Sequence, residues 1–270
     1  MTITHYPLYA RREASPLRER YPLGPITHYS KKWRLIPLLD ASAEVQMAID
    51  NWLIQQHSRG EHPPTLRFYT WTPAAISLGY HQKNYPEFWR YLTWADQPLD
   101  IVRRHTGGRA VLHQGDLTYA LVTSAKSGKR LEVYKNICQF LINGWRSLGV
   151  ELNYGTASKE YAAHHNCFTT ATGADLITKQ GSKAIGSAQL RRGKALLQHG
   201  SMMLAVNPQL FVKIFNELPP ANLVELIADS KQKAIANIVD TLILAAQDWF
   251  QIDLVEQPLS DAEWQDILTK

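Results

Sequence analysis

Two hydrophobic periods alternate along this chain, and their succession sketches its elements. Trp33-Arg34-Leu35-Ile36-Pro37 reads as a short strand, and from about Ser42 the spacing becomes helical. Val45, Ala48, Ile49, Trp52 and Leu53 then share one stripe, with Ser42 placed as its N-cap. Strand-forming residues return at 66–71 and again at 76–80, where the run closes on Gly79. The runs 101–104 and 110–113 flank Gly107-Gly108 and read as strand–turn–strand, and 117–122 is a further strand. A helix over 132–148 carries Tyr134, Cys138, Leu141, Trp145 and Leu148 on one face. Residues 174–204 read as a β-meander with turns at Gln180-Gly181 and Arg192-Gly193. Beyond Pro208 the pattern is helical, with Ile235, Ile238, Val239, Leu242, Ala245, Ala246, Trp249 and Phe250 recurring. Strands joined by hairpins, without regular βαβ alternation, predict an α+β fold with a largely antiparallel sheet and a helical C-terminal segment.

At 270 residues and 45% hydrophobic, the chain suffices for one large domain with small appendages. The reading divides it into an N-terminal extended arm over 1–31, a main domain over 32–255 that turns helical from about 206, and a tail over 256–270. The arm holds Arg11, Arg12, Arg18 and Arg20 among prolines. No uninterrupted apolar run reaches the roughly 18 residues that a membrane span needs, and Met1–Tyr6 lacks the apolar core of a secretory signal. Only Cys138 and Cys167 are present, which argues against a disulfide framework and for a cytoplasmic home. A net charge of +5 favours acidic partners, either nucleic acid or an acidic carrier protein.

Several residues could carry chemistry. Arg103-Arg104-His105-Thr106-Gly107-Gly108-Arg109 joins guanidiniums, which suit anionic groups, to glycines that let backbone approach a ligand. Read alone, Arg103 and Arg104 fit sheet-edge charges equally well. Cys167 stands in the polar run His164-His165-Asn166-Cys167-Phe168 and fits either a thiolate nucleophile or a buried structural cysteine. Cys138, on an apolar helical stripe, reads as structural. Lys183 precedes the small residues Ala184, Gly186, Ser187 and Ala188, where a lysine binds an oxygen or relays a proton, although after a Gln-Gly-Ser turn it also fits a solvated residue. His113 and His199 each end a strand, and no metal-ligand spacing accompanies them.

Taken together these segments resemble the lipoate/biotin attachment superfamily of lipoate–protein ligases, octanoyltransferases and biotin protein ligases. Arg103-Arg104-x-Thr-Gly-Gly-Arg-Ala-Val-x-His113 is similar to its arginine–glycine motif. Lys183-Ala-Ile-Gly186-Ser187-Ala188-Gln189, followed by Gln198-His199-Gly200-Ser201, is similar to its acyl-pocket lysine strand and the strand after it. Trp71-x-Pro73, Ser77-Leu78-Gly79 and Met47-Ala48-Ile49-Asp50 add to the likeness, which covers roughly 32–205. Arg109 and Leu112 stand where ligases carry a third glycine and a phenylalanine, and Cys167-Phe168 falls where the cysteine-dependent octanoyltransferase branch places its nucleophile. Asp175 departs from that branch's usual glutamate, and Ala174 replaces an expected aromatic.

The resemblance implies a class II aminoacyl-tRNA synthetase/biotin synthetase-like fold, a mixed sheet flanked by helices. It also implies transfer of an octanoyl or lipoyl group from acyl carrier protein to a lysine of a lipoyl domain, such as glycine cleavage H protein or a 2-oxoacid dehydrogenase E2. Cys167 would form the acyl-enzyme and Lys183 would orient the carbonyl and take a proton. Arg103, Arg104, Gly107, Gly108, Arg109, His113, Gly186, Ser187, Ala188 and His199 would bind substrate. Backbone N–H groups near Gly107, Gly108 or Gly186 would serve an oxyanion, and Leu78, Val111 and Ile185 would line a tunnel for the acyl chain. No cofactor is implied, whereas the alternative, an ATP-dependent lipoate–protein ligase, would require ATP and Mg²⁺ and leave Cys167 idle. Transfer of an acyl group between two lipoyl-carrying proteins is a third reading. A noncatalytic nucleic-acid binder is a remote fourth, since the aromatics fall on core-like stripes and no RNA-binding motif is present.

Overall fold

The computed structural model describes residues 31–124, 128–155, 175–220 and 222–269. Residues 1–30 of the expected arm, Cys167 and Ala174 lie outside the described residues, and Lys31 opens the first strand.

Alternation along the strands builds two cores from one sheet. In β2 (Thr65–Trp71) and β8 (Asp116–Ser124), Leu66, Phe68, Leu117, Tyr119 and Leu121 enter one core, while Tyr69, Ala120 and Val122 enter the other. Period-2 side chains on a sheet covered on both faces have this consequence. With β1 (Lys31–Ala41), β9 (Leu152–Tyr154), β10 (Leu176–Thr178), β11 (Lys183–Arg192), β12 (Ala195–Met203) and β13 (Ile252–Glu256), they form an eight-stranded sheet of order β13-β1-β2-β8-β12-β11-β10-β9. The β13–β1 and β1–β2 pairs are parallel and the others antiparallel.

Helix α1 (Ala43–Arg59) covers one face. Its Ile49, Trp52 and Leu53 pack with Tyr69 and Val122. On the other face lies α2 (Arg130–Ser147), whose Phe140, Leu141 and Trp145 share a core with Ile238 and Leu242 of a later helix, Ile235–Phe250. Cys138 sits wholly buried in that core, as its stripe predicts. The fold is α+β, a mixed sheet flanked by helices, as expected.

Two expectations need correction. The glycine segment is not a hairpin: β6 (Asp100–Arg103) and β7 (Val111–His113) both pair with β3 (Ala75–Leu78) from opposite sides, giving a second sheet of order β6-β3-β7. The intervening loop therefore crosses the end of β3. Gly79 is held so close to it that a Cβ there would lie 1.9 Å from the Gly108 carbonyl oxygen. Nor is 256–270 a loose tail. β13 ends at Glu256, and a helix over Asp261–Leu268 docks on α1, where Trp52 Nε1 donates to Asp266 at 2.6 Å. Buried Arg34 of β1 fastens the same helix through a two-pronged pair with Glu263 at 2.7 and 2.9 Å.

Candidate active site

A cavity of about 400 Å³ opens where the two sheets meet, within the range of small-molecule sites. Met47, Trp71, Val111, Leu131 and Tyr134 supply its larger apolar surfaces. The glycine loop supplies Arg104, Gly107 and Gly108, and β11 supplies Gly186, Ser187, Ala188 and Gln189. His113 and His199 complete the set of predicted residues that reach it.

Sequence separation of 149 residues vanishes at His199. Its Nδ1 lies 2.8 Å from Asp50 Oδ2, and its Nε2 lies 2.7 Å from Thr106 Oγ1 in the glycine loop. Asp50 also accepts from Tyr69 Oη at 3.0 Å and faces Arg67 Nε at 3.7 Å. Arg67 in turn donates to Gln46 and stacks over the Tyr69 ring. His113 repeats the pattern, with Nδ1 at 2.8 Å from Asp116 Oδ2 and Nε2 at 2.8 Å from Ser77 Oγ. It lies flat against Trp71 with ring centroids 3.8 Å apart. Burial lowers the His113 pKa against the opposing pull of Asp116, so the ring stays neutral. Asp116 further accepts from Ser201 at 2.6 Å and Thr118 at 3.1 Å. Both imidazoles are thus positioned by carboxylates on one nitrogen and hold hydroxyls with the other.

The arginines behave differently from the expected anion clamp. Arg104 is buried, and donates to the carbonyls of Ser77 (2.8 Å), Gly107 (3.0 Å) and Arg109 (2.7 Å), so it shapes the loop from beneath. Arg103 donates to the carbonyls of Gly79 and Gln82 at 2.8 and 2.6 Å. It is not among the residues that line the cavity, and neither is Arg109. Gly107 has open space where a Cβ would stand, so its backbone faces the cavity unshielded. Of the three apolar residues expected to form a tunnel, Val111 lines the cavity. Leu78 and Ile185 are instead buried in separate hydrophobic clusters.

Lys183 is no solvated turn residue. At 4% exposure it opens β11, and its Nζ lies 3.0 Å from Oδ1 of Asp175, which lines the cavity. An ammonium is kept in such surroundings only by a matched anion. Cys167 lies outside the described residues, eight positions before Asp175 in the chain.

The sequence reading gave no role to Arg67, Asp116, Thr118 or Tyr134. Asp50 could have been singled out, because an acid among Met47, Ile49, Trp52 and Leu53 on a helical stripe demands a buried partner. Among the described residues, no cluster of three or more His, Cys, Asp or Glu could hold a metal, and no helix is long and apolar enough to cross a membrane.

Comparison with known proteins agrees with this geometry. The family model for the lipoyl protein ligase A/B catalytic domain matches residues 42–256. Octanoyltransferase LipM of Brevibacillus brevis is 36% identical over 217 residues, which cover 76% of this chain and 78% of that protein. LipM of Carboxydothermus hydrogenoformans is 34% identical, covering 84% and 90% respectively. Among solved structures, T. acidophilum protein Ta0514 with bound lipoic acid superposes with a TM-score of 0.74. It covers 88% of this chain and 94% of its own at 20% identity, a likeness of fold.

Proposed function

The chain belongs to the lipoyl protein ligase A/B catalytic domain family, and we propose that within it the protein is an octanoyltransferase that moves its acyl group through a cysteine. The acyl donor is the thioester of acyl carrier protein and the acceptor is a lysine of a lipoyl domain. No cofactor takes part, and the reaction belongs to the cytoplasm.

The observation that carries this reading is a largely apolar cavity whose wall includes Asp175, paired at 3.0 Å with the buried Lys183 behind it. A saturated eight-carbon chain gains about 0.8 kcal/mol for each CH₂ it buries, so the cavity can hold the acyl group tightly without recognising polar atoms along it. Its reacting carbonyl then has to meet a charged group, and Lys183 supplies one. Cys167 attacks the thioester carbon, the carrier's sulfur leaves as a thiol, and the acceptor amine displaces Cys167 to form the amide. One proton leaves the amine in that second step, and we assign its acceptance to the Asp175 carboxylate, with the paired Lys183 ammonium orienting the carbonyl.

The LipM octanoyltransferases, 36% and 34% identical to this chain, support the transferase reading over an ATP-dependent ligase.

The test is the intact mass of an apo lipoyl domain after incubation with the protein and octanoyl-acyl carrier protein without ATP. A parallel reaction contains free octanoate with ATP and Mg²⁺. Octanoylation in the first alone, and its loss in Cys167→Ala, is the expected result. Modification that depends on ATP and survives Cys167→Ala would replace this reading with the ligase.

A further inference from the structure

The stretches that supply most of the cavity wall hold no acidic residue. Residues 101–115 carry the glycine loop, 117–131 run through β8 into α2, and 176–216 include β11 and β12, and none of the three contains Asp or Glu. Their cations are therefore offset only by acids from elsewhere in the fold.

The sheet gathers several of those cations at one end. Arg191 and Arg192 close β11, and Lys194 stands in the turn that leads to β12. All three are exposed, and none of them is in an ion pair among the described residues. The turn rests against the end of α1, where a Cβ on Gly193 would lie 3.6 Å from Ser58 Oγ. From the other side Arg130, the first residue of α2, donates to the Gln189 carbonyl at 3.4 Å. Glu132, close by in sequence, accepts from the Lys129 backbone N–H at 3.3 Å and so serves the start of that helix.

This basic end borders the cavity. Arg130 and Gln189 both line it, and so does Leu131, which is 48% exposed. Arg191 follows Gln189 by two residues, about 7 Å along a strand that rises roughly 3.3 Å per residue. The pKa of His105 in the glycine loop agrees with that placement, since it is lowered by burial first and then by the Arg192 guanidinium. Scattered surface charge of both signs is ordinary solvation. Charge of one sign, unpaired and collected on the rim of a cavity, raises the local potential and draws an oppositely charged partner towards that rim.

The acceptor lysine reaches the cavity on a folded domain, so that domain has to rest on the rim while its side chain enters. We propose that Arg130, Arg191, Arg192 and Lys194 form the docking surface for the lipoyl domain and receive an acidic face beside its acceptor lysine. Leu131 gives this surface an apolar contact among the charges. The inference rests on the acceptor named in the octanoyltransferase reading, and not on how the acyl group arrives. A lipoyl domain is the acceptor for a ligase as well. Complementary charge acts chiefly on encounter and orientation, so the rim should govern capture of the domain more than the chemical step.

The experiment measures binding of an apo lipoyl domain to the whole protein by calorimetry at low and physiological salt, with no acyl donor or ATP. Wild type is compared with Arg191→Glu/Arg192→Glu and with a control of equal charge change, Lys31→Glu/Lys32→Glu. The control lies on β1, four strands from β11 in the sheet order. Thermal unfolding verifies that each is folded. The rim reversal is expected to weaken binding by roughly 10-fold or more and to flatten its salt dependence, while the control stays within about twofold of wild type. In steady-state transfer the same reversal should raise KM for the domain and leave kcat nearly unchanged. Lys194→Glu, a single change in the exposed turn, should give a smaller loss in the same direction and serves if the double reversal does not fold. Equal binding in wild type and the rim variants, or an equal loss in the control, would overturn the proposal. So would weaker binding of acyl carrier protein or RNA with the lipoyl domain unaffected, which would give the surface a different partner. Because binding is read without an acyl group, ATP-dependent modification would replace the transferase reading and leave this result standing.

Discussion

The cavity's imidazole wall and its lysine wall treat buried polar groups in opposite ways. On the first, Asp50, His199, Thr106, Tyr69 and Arg67 answer one another, as do Asp116, His113, Ser77, Thr118 and Ser201. Asp50 Oδ1 and Arg67 Nε, which lack a hydrogen bond of ordinary length, face each other as an ion pair, and Arg67 Nη1 is the one further atom of this group without a hydrogen-bond partner among the described residues. On the second, Asp175, paired with the buried Lys183, lines the cavity together with Tyr134 and Gln189, whose Oη and Oε1 are buried with no hydrogen-bond partner among the described residues. A network closed on itself specifies shape. A buried ion pair whose carboxylate lines an apolar cavity puts charge at the reach of a ligand. Under the proposed octanoyl transfer, we infer that the histidines are scaffold and the lysine side carries the chemistry, although the two histidines sit in the more conspicuous motifs.

Lys183→Met breaks the contrast most severely. Loss of a group that orients the carbonyl and pairs with the proton acceptor is expected to lower octanoyl transfer by about 10²–10⁴-fold, read as single-turnover rate on protein shown to be folded. Activity within a few fold of wild type would move the chemistry elsewhere. Asp50→Asn should show the reverse profile. It leaves the buried Arg67 without its counter-charge, a change worth about 3–5 kcal/mol, and denaturant unfolding should register that loss. Octanoyl transfer per folded molecule should fall far less than in Lys183→Met. If Asp50→Asn were stable and inactive, the imidazole wall would be chemical after all.

The smallest effect is a pH dependence. The folded-state pKa of His113 lies below the ordinary histidine value of 6.5, so in the window below 6.5 the unfolded chain binds the proton that the folded one refuses. Its contribution to stability is therefore full above about pH 6.5 and declines as pH falls towards the lowered value. His113→Gln should flatten part of the stability profile there. His62 and His105, lowered by burial as well but more accessible, leave a residual slope. An unaltered profile would mean that burial does not hold the His113 ring neutral.

The elements were legible because burial imposes period. Leu66–Trp71 and 117–122 alternate between two cores, and α1 and α2 carry continuous apolar stripes. What sequence patterning missed depends on contacts between distant segments. Nothing local distinguishes a hairpin from two strands flanking a third, so β6 and β7 were joined wrongly. The C-terminal helix did carry a local signal, Ser260 followed three residues later by Glu263, which closes as a capping box. Local sequence alone leaves Lys183 open between a solvated turn residue and an oxygen-binding one, because its partner Asp175 lies across a hairpin, beyond any periodicity. Arg103 and Arg104 looked like an anion clamp because sequence shows guanidiniums but not the carbonyls that occupy them. Tyr134 looked like core, and by burial it is. Only the cavity reveals that its hydroxyl is unanswered.

The most direct measurement is a peptide mass map of the protein after incubation with octanoyl-acyl carrier protein and no acceptor. The account predicts one octanoyl group on the peptide containing Cys167, discharged when a lipoyl domain is added. An enzyme that turns over fully yet never carries an octanoyl group on Cys167 would contradict it.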